Sequence, residues 1–453
     1  MTLAIAAIAG FLLLQVAIGV WVSRRIATEA DYLVGGRRLG YTLATFSIFA
    51  TWFGAESMIG SAGEVFRGGI SLASAEPFGY ALCLILMGLL LAKPLWNRGL
   101  TTLADLYRVR FGVRVERLAA VILIPTSVLW AAAQIRAFGT VIALVGEINL
   151  TLGLGVAALF VIIYTTFGGL LADAVNDVLQ GAVLSVGLIV TLVVVMQKVG
   201  GFGEAVAIIR ASDAINLAPS AAGMWYETLE AWAIPVCGSL VATEVIGRVI
   251  GARSGTVAQR SSIAAGFIYL AIGTIPVLIA LLARTFVGEL ADAEQVLPTV
   301  ASTVLPPLAF ALFTGALVSA ILSTVDSTLL VASGLLSHNL LIPLTRVTDE
   351  RRKVLLARGG VVAFGIIAYV LAANADGVLA LVEQASAFGS AGILVTTLFA
   401  LFTTLGSPRT AAATLIGALV VYLGATVLGS PVPFLASLGA ALLTWTIGCV
   451  LDA

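Results

Sequence analysis

The sequence predicts an all-α integral membrane protein, and three observations support that fold class. Apolar residues make up 60% of the 453 residues and charged residues only 11%, whereas soluble domains average about 45–50% apolar and about 25% charged. Windows of roughly 18 or more apolar residues, long enough to cross a bilayer as a helix, recur along the whole chain. Basic residues concentrate in alternate loops between these windows. The chain therefore consists mostly of membrane-spanning helices.

Hydropathy predicts thirteen transmembrane helices within a single transmembrane domain that covers residues 1–453. The first window is too long for a signal-peptide core and has no basic region before it, so it is retained as a mature helix. The ninth window is unusually long and polar in its second half, which indicates an interior helix. The predicted spans are 2–22, 40–62, 74–96, 118–146, 150–167, 173–197, 228–250, 261–284, 299–336, 356–373, 377–403, 408–428 and 431–450.

Glycine and polar residues interrupt two of these helices, at 51–56 and at 235–239. With the first helix set aside, the interrupted helices are the first and the sixth. Transporters built from inverted repeats place broken helices at corresponding positions of their two halves and bind substrate between them. A glycine can also simply permit close helix packing, but the matched positions favour broken helices. The prediction is an extra helix at 2–22, a first repeat at 40–197, a second repeat at 228–403 and carboxyl-terminal helices at 408–450.

Charge placement predicts the orientation. Basic residues cluster in the loops at 24–38, 93–117, 248–260 and 346–358, which the positive-inside rule assigns to the cytoplasm. Thirteen crossings then put the amino terminus outside and the carboxyl terminus in the cytoplasm of a multi-pass protein of the cell (inner or plasma) membrane. The 24 basic and 24 acidic residues cancel, so charge offers no argument for nucleic acid binding.

Little in the sequence favours an enzyme. One histidine and three cysteines provide neither a disulfide framework nor a Cys/His metal site. No polar loop is large enough for a catalytic site. No catalytic residues are predicted.

Hydroxyl and carboxyl groups within the spans could bind a cation. Ser323, Thr324 and Ser327 can share one helix face, and hydroxyl and backbone carbonyl oxygens suit a dehydrated alkali cation. Ordinary interhelical hydrogen bonding by Ser and Thr is the alternative. Asp177 and Asp326 are harder to dismiss, because a carboxylate at membrane depth costs roughly 2.5–3.5 kcal/mol on an insertion scale. Each needs a cation, a proton or a partner.

Several blocks, in order along the chain, resemble the sodium/solute symporter family: 31–37, 50–54, 164–169 with 176–180, and 319–330. Within that family the chain is most similar to high-affinity choline transporters, through 50–52, 79–82, 92–94, 130–133 and 323–327. The resemblance implies a five-plus-five inverted-repeat (LeuT-like) core with an extra N-terminal helix and two C-terminal helices. It also implies transport by alternating access.

The resemblance further implies which residues bind the ions and the solute. The main sodium (Na⁺) site would use the backbone carbonyls of Ala50, Phe53 and Ala320 with the hydroxyls of Ser323 and Thr324. A second sodium site, present only in some members, would use Asp177, Asp326 and Ser327. Ala242 stands where choline transporters have a tryptophan, so the aromatic cage is incomplete. The solute-binding positions would be Trp52, Glu56, Tyr80, Trp130, Gln134, Ala242 and Glu244.

These inferences predict sodium-coupled symport of a small organic solute, a choline-like cation or a zwitterion such as betaine or proline. Proton coupling through Asp177, Asp326 or Glu56 is an alternative, as is symport of a monocarboxylate, a sugar or another amino acid. A channel is disfavoured because no ring-forming filter sequence appears. The expected partners are the solute, sodium and the lipid bilayer, and the sequence leaves the oligomeric state open.

Overall fold

Long apolar helices make up almost all of the structure. The computed structural model describes residues 2–24, 26–217, 225–290 and 292–452. Within these ranges the strands are one short parallel pair, β1 (Ile70–Ser71) and β2 (Ile215–Asn216), which joins two loops. A single backbone bridge also links Leu39 to Ala252. The predicted all-α character is therefore correct apart from these short contacts.

The first half of the chain forms ten helices in the described ranges, and two π-helical turns lie between successive helices. The turns occupy Glu56–Gly60 and Met87–Leu91, and a 3₁₀ turn at Gly35–Arg37 follows the second helix. The helices are α1 (Thr2–Ser23), α2 (Glu29–Val34), α3 (Tyr41–Trp52), α4 (Ser61–Gly68), α5 (Phe78–Leu86), α6 (Ala92–Asn97), α7 (Ala104–Phe111), α8 (Val113–Gly146), α9 (Leu150–Lys198) and α10 (Phe202–Ala211).

The second half repeats this mixture of long and interrupted helices. Irregular turns occupy Ile234–Gly238, Ser239–Val241, Ala293–Gln295 and Leu335–Leu341. The helices are α11 (Trp225–Ala233), α12 (Thr243–Gly251), α13 (Gly255–Ala283), α14 (Val296–Val304), α15 (Pro307–Gly334), α16 (Ile342–Thr345), α17 (Glu350–Asn374), α18 (Val378–Ala387), α19 (Ser390–Phe402), α20 (Pro408–Val427) and α21 (Pro433–Asp452).

The centre of the molecule is formed by α8, α9 and α15, which pack against one another. The span Pro307–Thr345 is an interior one, since 72% of its most apolar window is buried, against 22% for Pro433–Asp452 at the periphery. An interior position is what the polar second half of α15 requires, because its hydroxyls need protein partners rather than lipid. Glycine allows the close contact with α9: a Cβ on Gly187 would lie 2.5 Å from the Cβ of Ala316.

A left-handed glycine divides α9 into two legs. A straight helix of 49 residues would be about 74 Å long, more than twice the thickness of the hydrocarbon core. Gly169 breaks it with φ 70° and ψ 166°, a conformation that essentially only glycine adopts. The Tyr32 hydroxyl lies 3.3 Å and 3.4 Å from the carbonyl oxygens of Thr165 and Thr166, in the last turn before the break. The predicted spans 150–167 and 173–197 correspond to the two legs.

The predicted span 299–336 is wrong at both ends. Leu305 is extended and ends α14, and Pro306 and Pro307 begin α15. Proline disfavours a helical conformation in the residue before it and has no N–H to continue the preceding helix. Beyond 336 the helical path continues through a π-helical stretch into α16 and ends at Thr345.

Among the described residues, nine helices are long and apolar enough to cross a membrane. A tenth results if the pair Trp225–Val241 and Thr243–Gly251, bent by 41°, is one span. The bend falls at Ala242, and irregular turns cover 234–241 before it, which matches the interruption predicted at 235–239. Helix α3 likewise ends inside the interruption predicted at 51–56.

Candidate functional site

The break after α3 diverts two backbone N–H groups from the helix to side chains. The Gly54 N–H donates to Glu56 Oε1 at 3.2 Å. The Ala55 N–H donates to Gln134 Oε1, on α8, at 2.9 Å. Gln134 also donates to Glu56 Oε2 at 3.0 Å, so the two side chains hold the break together. In a continuous helix these N–H groups would bond to the carbonyls four residues earlier, and those carbonyls are therefore free for other partners.

Hydroxyls of α15 approach the two carbonyls that the break frees. Ser323 Oγ lies 2.6 Å from the Ala50 carbonyl oxygen, and Thr324 Oγ1 lies 2.9 Å from that of Thr51. Both hydroxyls also lie close to the Ala320 carbonyl, at 3.0 Å and 3.2 Å. Five uncharged oxygens from α3 and α15 thus converge in a buried setting. Such a set suits a dehydrated monovalent cation.

Four of the five residues predicted for the main sodium site contribute to this cluster of oxygens. The other, Phe53, is fully buried at the end of α3, and its ring packs against Phe49 and Tyr269. The carbonyl of Thr51, which the sequence analysis did not name, supplies the remaining oxygen. In the part of the chain that the structure describes, no group of three or more His, Cys, Asp or Glu side chains is arranged to hold a metal ion.

A buried charge cluster, comprising Ser47, Asp173, Asp177, Arg248, Asp326 and Ser327, lies next to these oxygens. Arg248 Nη2 bonds to both Asp173 and Ser327 and lies 3.5 Å from Asp177 Oδ2. Arg248 Nε donates to Ser47 at 3.1 Å, and Ser47 in turn donates to Asp177 at 2.5 Å. Asp326 interacts electrostatically with the same guanidinium. The structure thus brings together the three residues predicted for a second sodium site.

Asp173 and Arg248 were missed by the sequence analysis. Asp173 stands four residues before Asp177, a spacing that puts both carboxylates on one helix face, so the signal was available. Arg248 was counted with the basic residues of a cytoplasmic loop, yet its side chain is completely buried. Arg248 also lies inside the predicted span 228–250, which was a second overlooked signal. A basic residue within a membrane span needs a partner there, such as a carboxylate.

Three aromatic rings predicted to face the solute form one cluster. The Trp52 ring centroid lies 5.3 Å from that of Trp130 and 5.7 Å from that of Tyr80, which in turn lies 6.5 Å from Trp130. Tyr269 extends the row, with its centroid 6.5 Å from that of Tyr80. Ring faces in such a row can bind an organic cation by cation–π attraction.

Of the remaining predicted solute residues, Glu56 and Gln134 lie at the break and two others lie elsewhere. Ala242 is at the bend between the α11 segment and α12. Glu244 accepts a hydrogen bond from Ser127 at 2.5 Å. Ser127 and Gln134 are two turns apart on α8, about 10 Å along the axis. Glu244 therefore contacts α8 well away from Glu56.

Comparison with known proteins identifies the class of protein. The family model of the Sodium:solute symporter family matches residues 32–419, and the chain belongs to that family. The resemblance drawn from the sequence motifs is thereby confirmed.

Individual relatives are transporters rather than enzymes. The human (Homo sapiens) high affinity choline transporter 1 is 28% identical over 387 residues, covering 81% of this chain and 67% of the relative. The sodium/pantothenate symporter of Escherichia coli is 26% identical over 350 residues, covering 73% and 70%. The chain thus spans about two thirds of the length of these relatives.

A solved structure shows the same fold. A Na⁺-coupled sialic acid symporter in a substrate-bound outward-open state superimposes with a TM-score of 0.87 over 99% of this chain and 97% of its own, at 18% identity. This likeness shows that the two chains share one helical fold.

Proposed function

We propose that this protein is a sodium-coupled symporter that carries a small organic solute, a choline-like cation or a zwitterion such as betaine or proline, by alternating access. The oxygens shared by α3 and α15 carry the proposal. They belong to two elements, α3 and α15, that come together where α3 breaks, so an ion bound by Ala50, Phe53, Ala320, Ser323 and Thr324 would favour the arrangement in which α3 and α15 are apposed. An ion couples to a solute by binding one conformation better than another.

A second sodium ion would bind at Asp177, Asp326 and Ser327. The buried charge cluster supports this, because one guanidinium faces three carboxyl groups. Asp177 Oδ1 and Asp173 Oδ1 are buried without hydrogen-bond partners in the described part of the chain, so each retains lone pairs for a cation.

The solute would bind between the aromatic rings and the break, at Trp52, Glu56, Tyr80, Trp130 and Gln134. Ala242 and Glu244 would border the site from the second broken helix. Breaks at corresponding helices of the two halves are the arrangement that transporters with inverted repeats use for a midplane site.

The proposed topology has thirteen spans. It adds three crossings to the ten long apolar spans: α1, the α3–α4 pair, and the second leg of α9. The repeats are 40–197 and 228–403, the amino terminus is outside and the carboxyl terminus cytoplasmic, in the cell membrane. The basic loops support that orientation.

The Ser323→Ala/Thr324→Ala double variant tests the ion site. It removes both hydroxyl oxygens while leaving the helix-forming backbone intact. We expect the sodium concentration for half-maximal uptake to rise at least about tenfold, since losing hydrogen-bonding or coordinating groups to a charge is worth about 1.5–3 kcal/mol each. A Ser302→Ala variant, at an exposed hydroxyl on α14, is the control. Unchanged sodium dependence in the double variant would contradict the site assignment.

A further inference from the structure

Two pairs of side chains face each other where α3 breaks. Trp52 and Glu56 lie on either side of the break, and Trp130 and Gln134 lie one turn apart on α8. The two tryptophan rings are in contact, and Gln134 hydrogen bonds to Glu56. An aromatic surface and a carboxyl group are therefore held side by side by the same two elements.

Within the described part of the chain, Glu56 has no cationic partner. Its side chain is 2% exposed, and it accepts hydrogen bonds from the Gly54 N–H and from Gln134. None of the ion pairs among the described residues includes it. A buried carboxylate without a counter-charge is unfavourable. A cation from outside the protein would supply that charge.

A second carboxyl group lies at the other end of the aromatic row. Glu76 Oε1 accepts a hydrogen bond from the Tyr269 hydroxyl at 2.5 Å, and the Tyr269 hydroxyl also bonds to Ser57. Glu76 Oε2 is buried and has no hydrogen-bond partner within the described ranges. The row from Trp130 to Tyr269 is thus bordered by a carboxyl group at each end, and Glu56 and Glu76 are close enough to repel each other.

The backbone donors that could bind a solute carboxylate at the break are already used. In transporters with broken helices, free N–H groups at the break bind anionic groups of the substrate. Here the Gly54 and Ala55 N–H groups donate to Glu56 and Gln134. A zwitterion would therefore bring its carboxylate to a site with two carboxyl groups and no spare backbone donor at those two positions.

We propose that the transported solute is an organic cation whose charged nitrogen carries N–H groups, such as a primary or secondary ammonium, and that Glu56 accepts a hydrogen bond from it. A quaternary ammonium can use ring faces alone, whereas an ammonium with N–H groups is strongly hydrated and needs acceptors when it is desolvated. The rings of Trp52, Tyr80 and Trp130 would contact the carbon atoms of the solute. This inference rests on the proposed function and narrows its solute class.

The position of Glu56 also connects the solute to the ion site. A Cβ on Gly54 would lie 2.6 Å from Glu56 Oε2 and 2.8 Å from Thr324 Oγ1. The carboxyl group and the hydroxyl of the proposed sodium site thus flank the same glycine. An ion and an ammonium group on either side of it would both be attracted by Glu56.

A methylation series tests the proposal at constant charge. Ethanolamine, N-methylethanolamine, N,N-dimethylethanolamine and choline differ only in how many N–H groups are replaced by methyl groups. Their dissociation constants would be measured on purified protein by thermal stabilisation in sodium and in potassium, with glycine betaine and proline as zwitterions. In sodium we expect choline to bind at least about tenfold more weakly than the N–H-bearing member that binds best, because a hydrogen bond to a carboxylate is lost.

Glu56→Gln should reduce this preference to less than about threefold, since a neutral amide is a weaker acceptor. Glu230→Gln is the matched control: Glu230 is another buried carboxyl group, which accepts hydrogen bonds from the Phe434 and Leu435 N–H groups. The control should keep the wild-type order.

Three results would overturn the inference: choline binding as tightly as its N–H analogues, an unchanged order in Glu56→Gln, or no sodium-dependent binding by any member of the series. If choline, betaine or proline binds in a sodium-dependent way and no N–H-bearing amine does, the proposal of sodium symport is retained. The proposal of an N–H-bearing cation as the solute is then rejected. No effect of sodium on any solute in the panel would count against the proposed function itself.

Discussion

Arg248 shows how a charge is accommodated in the interior of this protein. Its guanidinium donates to Ser47, Asp173 and Ser327 and to the Glu244 carbonyl. A planar group with five donors can satisfy several acceptors at once. Because these acceptors belong to α3, α9, α12 and α15, the side chain joins four helices around one point. Its removal would leave carboxylates buried without their counter-charge.

Arg248→Ala should therefore be strongly destabilising. Removing one partner of a buried ion pair costs about 3–5 kcal/mol, because the other charge remains desolvated. The free energy of unfolding of each purified protein in detergent would be measured by chemical denaturation. Arg260→Ala, at an exposed position on α13, is the control and should stay within about 0.5 kcal/mol of wild type. Equal stability of the two variants would show that the buried cluster is not held by this guanidinium.

Individual residues were predictable where chemistry restricts them. Ser323 and Thr324 stand out because hydroxyl groups cluster inside an apolar span, and the family motif adds Ala50 and Ala320. The role of the Thr51 carbonyl was not predictable. This carbonyl is free because the Ala55 N–H donates instead to Gln134, which lies 83 positions after Thr51 in the sequence. A backbone oxygen carries no mark in the sequence, so only the three-dimensional course of the break reveals it.

At the scale of elements, the shape of α9 depends on one backbone conformation. Gly169 has a positive φ, and a Cβ there would lie 2.9 Å from Tyr32 Cδ2 and 3.1 Å from the Tyr32 carbonyl oxygen. A side chain at position 169 would therefore both strain the backbone and clash with Tyr32. Tyr32 lies in the block 31–37 that resembles the family, and its hydroxyl contacts give it a structural role at this break.

Gly169→Ala should destabilise the protein by about 1–3 kcal/mol from backbone strain alone. Gly155→Ala is the matched control on the same helix, because no atom lies within 4 Å of its added Cβ, and we expect it to be neutral or stabilising by up to about 1 kcal/mol. The midpoint of thermal unfolding would be compared for the two variants. A Gly169→Ala protein as stable as Gly155→Ala would contradict the assigned kink.

Helices were predictable where apolar runs end at clear breakers. The predicted spans 356–373 and 408–428 fall close to α17 and α20, which begin after Asp349 and Ser407 as N-caps. The start of α15 was missed because 299–336 reads as one apolar run, although Pro306 and Pro307 divide it. Hydropathy averages over such a break, whereas the backbone cannot continue a helix through it.

At the scale of the whole molecule, the interrupted helices and the interior helix α15 meet at one place. The freed carbonyls of α3, the hydroxyls of α15 and the aromatic row from α3, α5 and α8 are adjacent. Composition and matched interruptions predicted the membrane-spanning helices and the two broken helices, and the family resemblance supplied the residues of the ion and solute sites. The hydrogen bond between Gln134 and Glu56 was not predictable, because the two side chains are brought together only by folding.

Solute uptake into proteoliposomes with imposed ion gradients tests the central proposal of sodium-coupled symport most directly. The liposomes would contain the wild-type protein and receive the best-binding member of the solute panel. An inward sodium gradient should drive accumulation above the external concentration, while an equal potassium gradient should not, and a pH gradient in sodium-free buffer should have no effect. Accumulation driven by the pH gradient without sodium, or uptake that only equilibrates with every cation, would contradict it.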